Sequence, residues 1–119
     1  MELKWFDISE FDSPDLPGSG DMMEDEVLKR LDVARDIYGS PMIISSGFRT
    51  IAHNKAVGGV KNSSHLLGWA VDIRCTNSHS RFLMVEALLD AGFNRIGIAS
   101  SFIHADVDPE KTPLLIWTY

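Results

Sequence analysis

The chain reads Ser-Ser-His-Leu-Leu-Gly-Trp-Ala-Val-Asp over residues 63–72, and this stretch decides how the rest of the sequence is interpreted. Apolar and polar side chains alternate over residues 69–74, which is the periodicity of a β-strand. Asp72 therefore belongs to a strand, whereas His65 ends the polar loop before it. Gly68 permits a turn between the two. The stretch thus predicts a loop histidine and a strand carboxylate that approach each other.

A second stretch, Phe-Ile-His-Ala-Asp at residues 102–106, is also interpreted as a strand. In a strand, His104 and Asp106 project to the same face. Two imidazoles and one carboxylate are the usual ligands of a catalytic zinc ion, whose fourth position stays open. The chemical softness of imidazole and carboxylate ligands matches that of zinc, although other divalent ions also fit. Because a histidine and an aspartate seven positions apart are common by chance, an ordinary loop histidine and a paired carboxylate at His65 and Asp72 remain the alternative.

Hydrophobic periodicity predicts two helices around these strands. Apolar residues recur at helical spacing over residues 22–38, acids crowd the first turns, and Gly39 follows as a stop. A second helix begins at Asn77 or Ser78 and runs to about Ala91. The side chains predicted to face inward from it are Phe82, Val85, Leu88 and Leu89.

The remaining segments predict short strands and tight connections. The strands are expected at residues 41–45, 69–74, 94–99, 102–107 and 114–117. Residues 47–64 are rich in Gly, Asn and Ser and are interpreted mostly as loop, with one helical turn near residues 53–57. Residues 1–20 are interpreted as an extended arm that packs its aromatic side chains onto the body. We therefore predict an α+β fold with a mainly antiparallel sheet and two helices packed on it.

Length and composition predict one ordinary globular domain. The 119 residues fit a single domain over residues 1–119. Apolar residues make up 45% and charged residues 24% of the chain, which is typical of a globular protein in water. The single cysteine, Cys75, excludes an internal disulfide and fits a reducing compartment.

Charge and hydropathy argue against two classes of partner. The net charge is −6 and no basic stripe is visible, so we expect no nucleic acid partner. No apolar run approaches the roughly 20 residues of a membrane span, so we expect no membrane insertion. The N-terminus lacks the apolar segment of a signal peptide. We expect a monomer that is synthesised in the cytoplasm and acts on the cell wall only if it is released or delivered there.

The pattern Ser-x-His-x-x-Gly-x-Ala-x-Asp at residues 63–72, followed by Phe-Ile-His-x-Asp, resembles the M15 zinc peptidases. These are D-alanyl-D-alanine carboxypeptidases and phage endolysin-type endopeptidases, which share a fold with the hedgehog signalling domain. The upstream Ser-Ser-Gly-Phe-Arg at residues 45–49 matches the Ser-Gly-Tyr/Phe-Arg element of that family. The resemblance covers nearly the whole chain from about Phe6 and is greatest to the short phage-type branch. It implies a Zn²⁺ cofactor whose ligands are His65, Asp72 and His104.

The resemblance also implies roles for two polar residues. Arg49 matches the family arginine near the scissile carbonyl, where a guanidinium holds negative charge or a substrate carboxylate. Its alternative is a structural salt bridge. Ser63 matches the motif serine that hydrogen-bonds the substrate, and its alternative is a loop or cap serine.

The general base is where the sequence departs from part of the family. Many members have Glu or Asp three residues before the last ligand histidine, but Ser101 occupies that position. Asp106 is the nearest acid, and we expect it to accept the proton of the attacking water or to orient that water. Its alternative is a carboxylate that fixes the imidazole of a metal ligand.

The implied activity is hydrolysis of a peptide bond in bacterial peptidoglycan, next to a D-amino acid. Both carboxypeptidases and endopeptidases of the family share these ligands, so either remains open. The competing hypothesis is a non-catalytic zinc-containing module that binds cell wall or a protein, and the absence of a carboxylate at Ser101 favours it.

Overall fold

A computed structural model of the protein describes residues 2–119, which contain three α-helices and five β-strands. The helices are α1 (Asp25–Tyr38), α2 (Ile51–Ala56) and α3 (Ser78–Asp90). The strands are β1 (Ile44–Ser46), β2 (Ala70–Arg74), β3 (Arg95–Ile98), β4 (Phe102–Asp106) and β5 (Leu115–Thr118).

The five strands form one mixed sheet in the order β1-β2-β4-β3-β5. Neighbours pair antiparallel except β3 and β5, which are parallel. The hairpin of β3 and β4 explains this exception, since it places Asp106 at the end of β4 beside Arg95 at the start of β3. The chain therefore leaves β4 at the end of the sheet where β3 begins. Because β5 starts at this same end, with Leu115 beside Arg95, it runs parallel to β3 along the outer edge of β3. The α+β class is confirmed, and the parallel edge pair is an addition to the predicted antiparallel sheet.

Alternation along the central strands gives the sheet two different faces. Val71 and Ile73 of β2 are fully buried, as are Ile103 and Ala105 of β4, and all four belong to the hydrophobic core. Buried residues of α1 and α3, such as Leu31, complete that core on the same face. The intervening residues of β2 and β4 point to the opposite face, and they include Asp72, His104 and Asp106.

The expectation of two α-helices was wrong by one, because the segment predicted mostly as loop contains α2. This six-residue helix begins at Ile51, earlier than the predicted turn. The side chain of Thr50 accepts a hydrogen bond from the backbone N–H of His53 and caps the helix. Ile51 is 80% exposed, so no apolar stripe announced the helix in the sequence.

The face of α3 was partly mispredicted. Leu88 is buried as expected, but Phe82 is 69% exposed and Leu89 is 44% exposed. Met84 and Ala87 are buried instead. The helix carries apolar residues of its own on every side, so their spacing in the sequence does not indicate which side faces the core. No helix within residues 2–119 combines the length and the hydrophobicity needed to cross a bilayer.

The N-terminal arm is more structured than the extended segment predicted for residues 1–20. It contains two short 3₁₀ helices, Ile8–Phe11 and Ser19–Met22. The expectation that the arm packs its aromatic side chains onto the body holds for Phe6 and Phe11, which are buried, but not for Trp5, which is 41% exposed. Phe11 is fully buried. Its Cα would lie 2.6 Å from a Cβ added at Gly47, so the arm packs directly against the backbone that follows β1.

Gly68 carries a testable prediction about stability. Its φ is +76°, and a Cβ added there would lie 2.3 Å from the backbone oxygen of Met22. The left-handed conformation alone costs a residue with a side chain about 1–2 kcal/mol. We expect Gly68→Ala to lower the free energy of unfolding by more than this amount in urea titrations. Gly39 has the same φ and no atom within 4 Å of its Cβ position, so Gly39→Ala is the matched control. Equal losses in both variants would contradict a steric role for Gly68.

Candidate metal centre

Three buried side chains converge on the polar face of the sheet. His65 comes from a 3₁₀ helix, Ser64–Leu67, while Asp72 of β2 and His104 of β4 are direct partners across the sheet. His65 Nε2 lies 3.2 Å from Asp72 Oδ1, and His104 Nδ1 lies 3.1 Å from the same oxygen. One donor atom from each residue lies within 4.8 Å of the others, so the three could hold a metal ion.

Each histidine is held by its other ring nitrogen. His65 Nδ1 lies 2.8 Å from the backbone oxygen of Gly47, and His104 Nε2 lies 2.6 Å from Asp106 Oδ2. A carbonyl oxygen and an ionised carboxylate only accept hydrogen bonds, so both of these nitrogens carry the proton. The opposite nitrogens, His65 Nε2 and His104 Nδ1, are then lone-pair donors in the neutral rings.

This arrangement fits a metal cation. When both rings are neutral, two nitrogen lone pairs and a carboxylate oxygen face one another with no hydrogen between them. Their mutual repulsion is relieved only by a proton or another cation. Imidazole and carboxylate donors match zinc and other divalent first-row metals. A metal-bound histidine usually donates the N–H of its other ring nitrogen to a carbonyl or a carboxylate, as both histidines do here.

The titration behaviour of the cluster follows from the same contacts. Burial raises the pKa of Asp72, but the imidazoles of His104 and His65, which donate hydrogen bonds and supply positive charge when they are protonated, outweigh burial and hold that pKa well below its usual range. Burial lowers the pKa of His104, but its hydrogen bonds to Asp106 and Asp72 outweigh burial and raise that pKa above its ordinary value. Asp72 is therefore ionised at neutral pH, and the cluster favours positive charge between its members.

Arg49 is fixed against the cluster by all three of its nitrogens. Nη2 lies 3.1 Å from Asp72 Oδ2, Nη1 donates to Asn54 Oδ1 at 3.1 Å, and Nε donates to Ser46 Oγ at 2.9 Å. The side chain is only 13% exposed, yet it lines the cavity in front of the cluster. The salt bridge considered as its alternative is thus present, and it places the guanidinium beside the three convergent side chains.

Asp106 uses both carboxylate oxygens within the protein. Oδ2 contacts His104, while Oδ1 accepts a hydrogen bond from the backbone N–H of Asp108 at 3.1 Å. Arg95 Nε lies 2.9 Å from Oδ1 as an ion pair, although its N–H is not aimed at the oxygen. Burial raises the pKa of Asp106, but the hydrogen bond with His104, the positive charges of His104 and Arg95 and the backbone N–H of Asp108 together outweigh burial and lower that pKa. Asp106 therefore sits behind the His104 ring, on the opposite side from Asp72.

Ser63 is buried at the N-terminus of the 3₁₀ helix that carries His65. Its Oγ accepts a hydrogen bond from the backbone N–H of His65 at 3.2 Å, which is the cap considered as its alternative. The residue also lines the cavity in front of the cluster.

The cavity over the cluster has a volume of about 270 Å³. Asp72 and Asp106 are the carboxylates among its lining residues within the described part of the chain. Ser101 does not line it and is exposed on the turn between β3 and β4. Besides the predicted residues, the lining includes the polar side chains of Arg95, Lys111 and Tyr119.

Several residues around the cluster were not anticipated. Trp117 of β5 lies over Gly97 of β3, where an added Cβ would be 2.7 Å from the indole. Its ring centroid is 5.4 Å from that of His104, and the guanidinium carbon of Arg95 lies over the indole at 5.1 Å from its centroid. The strand pattern around Trp117 was visible in the sequence, but the parallel pairing that brings it to His104 was not.

Comparison with known protein families identifies a family that the chain matches. The family model described as Peptidase M15 matches residues 9–106, which is well over half of the chain and includes every predicted site residue. No curated protein matches the chain.

Proposed function

The chain belongs to the peptidase M15 family, and on this premise we propose that it is a zinc-dependent metallopeptidase that hydrolyses a peptide bond in bacterial peptidoglycan. The observation that carries the proposal is the convergence of two imidazole nitrogens with fixed tautomers on one oxygen of Asp72. We further propose a single peptidase domain over residues 1–119 with a hedgehog/DD-peptidase-like fold.

His65, Asp72 and His104 are the proposed metal ligands. When bound, the metal supplies Lewis-acid chemistry, which polarises the scissile carbonyl and makes a water molecule more acidic. The chain's own contribution is a buried, pre-aligned donor set, since Gly47 and Asp106 hold the two imidazoles from behind.

Arg49 and Ser63 are the proposed substrate-binding groups. The guanidinium of Arg49 is locked by three contacts, so it presents positive charge to the cavity without the cost of reorganisation. We propose that it binds the carbonyl oxygen as negative charge develops there. The Ser63 hydroxyl, whose oxygen already caps His65, has its proton free to bind a substrate carbonyl.

Asp106 is proposed to position His104 rather than to act as the general base. Its two oxygens are engaged by His104 and the backbone of Asp108, and it lies behind the ring that faces Asp72. These contacts favour the alternative raised in the sequence analysis.

Replacing Asp106 by asparagine separates the two roles. If Asp106 positions His104, Asp106→Asn should weaken zinc binding about 10–100-fold, the usual cost of losing such a partner, and excess zinc should restore most of the turnover. The measurement is zinc competition with a chromophoric chelator, followed by turnover at matched zinc occupancy. A loss of about 100-fold in rate at full occupancy would identify Asp106 as the base instead.

Product analysis tests the proposed activity. Purified muropeptides incubated with the zinc-loaded protein should lose a terminal alanine if it is a carboxypeptidase, or divide into two peptides if it is an endopeptidase. Mass spectrometry distinguishes these outcomes. Intact muropeptides after prolonged incubation would contradict both.

The second candidate is a non-catalytic zinc-containing module that binds cell wall or a protein. The observation that favours it is the absence of a disengaged carboxylate among the described residues that line the cavity. Zinc-loaded protein that sediments with peptidoglycan but leaves its peptides intact would support this alternative.

A further inference from the structure

Asp108 is a buried acid just beyond β4 with no role in the proposed function. It is 5% exposed, and both of its carboxylate oxygens are used. Oδ2 accepts a hydrogen bond from Ser64 Oγ at 2.7 Å, and Oδ1 accepts one from the backbone N–H of Glu110 at 3.0 Å. Its own backbone N–H donates to Asp106 Oδ1 at 3.1 Å. A buried carboxylate held in this way joins the elements that its partners belong to.

Those partners stand next to the two histidines. Ser64 directly precedes His65, and Asp106 contacts the ring of His104. Asp108 therefore links the surroundings of the two histidines: its side chain bonds to Ser64, 44 positions earlier in the sequence, and its backbone N–H bonds to Asp106. A short path of hydrogen bonds thus runs from the loop of His65 to the strand of His104 without passing through Asp72.

A second contact strengthens the same link. Lys111 Nζ donates to the backbone oxygen of Asn62 at 2.8 Å. The turn that begins at Asp108 thus holds the loop before His65 at two points, Asn62 and Ser64. The 3₁₀ helix that carries His65 has only four residues, so it depends on such outside contacts for its position.

We propose that Asp108 is a positioning residue that clamps the His65 loop to the end of β4, so that the two histidines are aligned before a metal ion arrives. The inference rests on the proposed metal site, which it deepens. It concerns a residue outside the segment matched by the family model, residues 9–106. Alignment in advance removes the cost of ordering the loop on binding, and it therefore raises metal affinity.

The test compares four variants. Asp108→Ala removes the acceptor for Ser64, and we expect it to weaken zinc binding about 10-fold or more in competition with a chelator. Asp108→Asn keeps an amide that hydrogen-bonds the Ser64 hydroxyl, so most of the affinity should return. Glu110→Ala removes an exposed acid from the same turn and should leave the affinity unchanged. Adding Ser64→Ala to Asp108→Ala should cost little more, because both changes break one contact.

A metal-free measurement separates the clamp from the metal site. Hydrogen exchange in zinc-free protein should be faster in Asp108→Ala at the amides of Leu66 and Trp69, which bond to Ser63 and Ser64 within the loop. The amide of Ile103, in the centre of the sheet, should exchange as in the wild type. Wild-type zinc affinity and loop exchange in Asp108→Ala would overturn the clamp. A wild-type protein that binds no zinc would overturn the proposed metal site, and the exchange rates would still decide whether Asp108 holds the loop.

Discussion

Asp72→Ala should reduce the zinc content of the purified protein from about one ion per chain to almost none, and it should abolish peptide hydrolysis. Oδ1 of Asp72 is the atom on which His65 and His104 both converge, and Oδ2 is bound by Arg49. Within residues 2–119 no other residue joins all of these partners, so the loss of Asp72 removes a ligand and the negative charge that a cation needs. Elemental analysis of the dialysed protein gives the zinc content.

Two further variants make this result interpretable. Asp72→Ala leaves Arg49 buried without its carboxylate, which destabilises the fold. Asp72→Asn keeps the size of the side chain while removing its charge, so circular dichroism should show a folded protein that is still poor in zinc. Asp90→Ala removes an exposed acid at the end of α3 and should keep full zinc content. Wild-type zinc in folded Asp72→Asn and Asp72→Ala would exclude Asp72 as a ligand.

Arg49→Lys should retain the metal and lose most of the activity, with a fall of about 100-fold or more in kcat. The guanidinium makes three separate contacts, to Ser46, Asn54 and Asp72, that fix its plane in the cavity wall. The ammonium group of lysine keeps the positive charge, but it offers neither the planar set of N–H donors nor this fixed orientation. The measurement is steady-state kinetics on a muropeptide at matched zinc occupancy.

The matched control is Arg74→Lys, which makes the same exchange at an exposed position at the end of β2. It should leave both zinc content and turnover unchanged. Turnover by Arg49→Lys at the wild-type rate would show that the arginine only completes a salt bridge with Asp72.

Local sequence signals predicted the elements that carry the site. Alternation over residues 69–74 and 102–107 matches β2 and β4, whose antiparallel pairing places Asp72 beside His104. The helix predicted over residues 22–38 corresponds to α1. Such features follow from side-chain period alone, which a single sequence displays.

Features that depend on distant contacts were not predictable in the same way. The parallel pairing of β5 depends on where the chain stands when the hairpin of β3 and β4 ends, beside the first residue of β3. Helix α2 has no apolar face that its sequence could reveal. The partner of His65 is a backbone oxygen, that of Gly47, which no residue type encodes. The role of Asp106 depends on which side of the His104 ring it occupies, and strand alternation cannot specify that side.

Anomalous X-ray diffraction at the zinc edge, from crystals grown with zinc, tests the metal centre most directly. We predict one strong anomalous peak, bonded to His65 Nε2, Asp72 Oδ1 and His104 Nδ1, with Asp106 still hydrogen-bonded to His104 Nε2. A peak bound through His104 Nε2, a peak elsewhere on the chain, or no peak at saturating zinc would contradict the proposed metal centre.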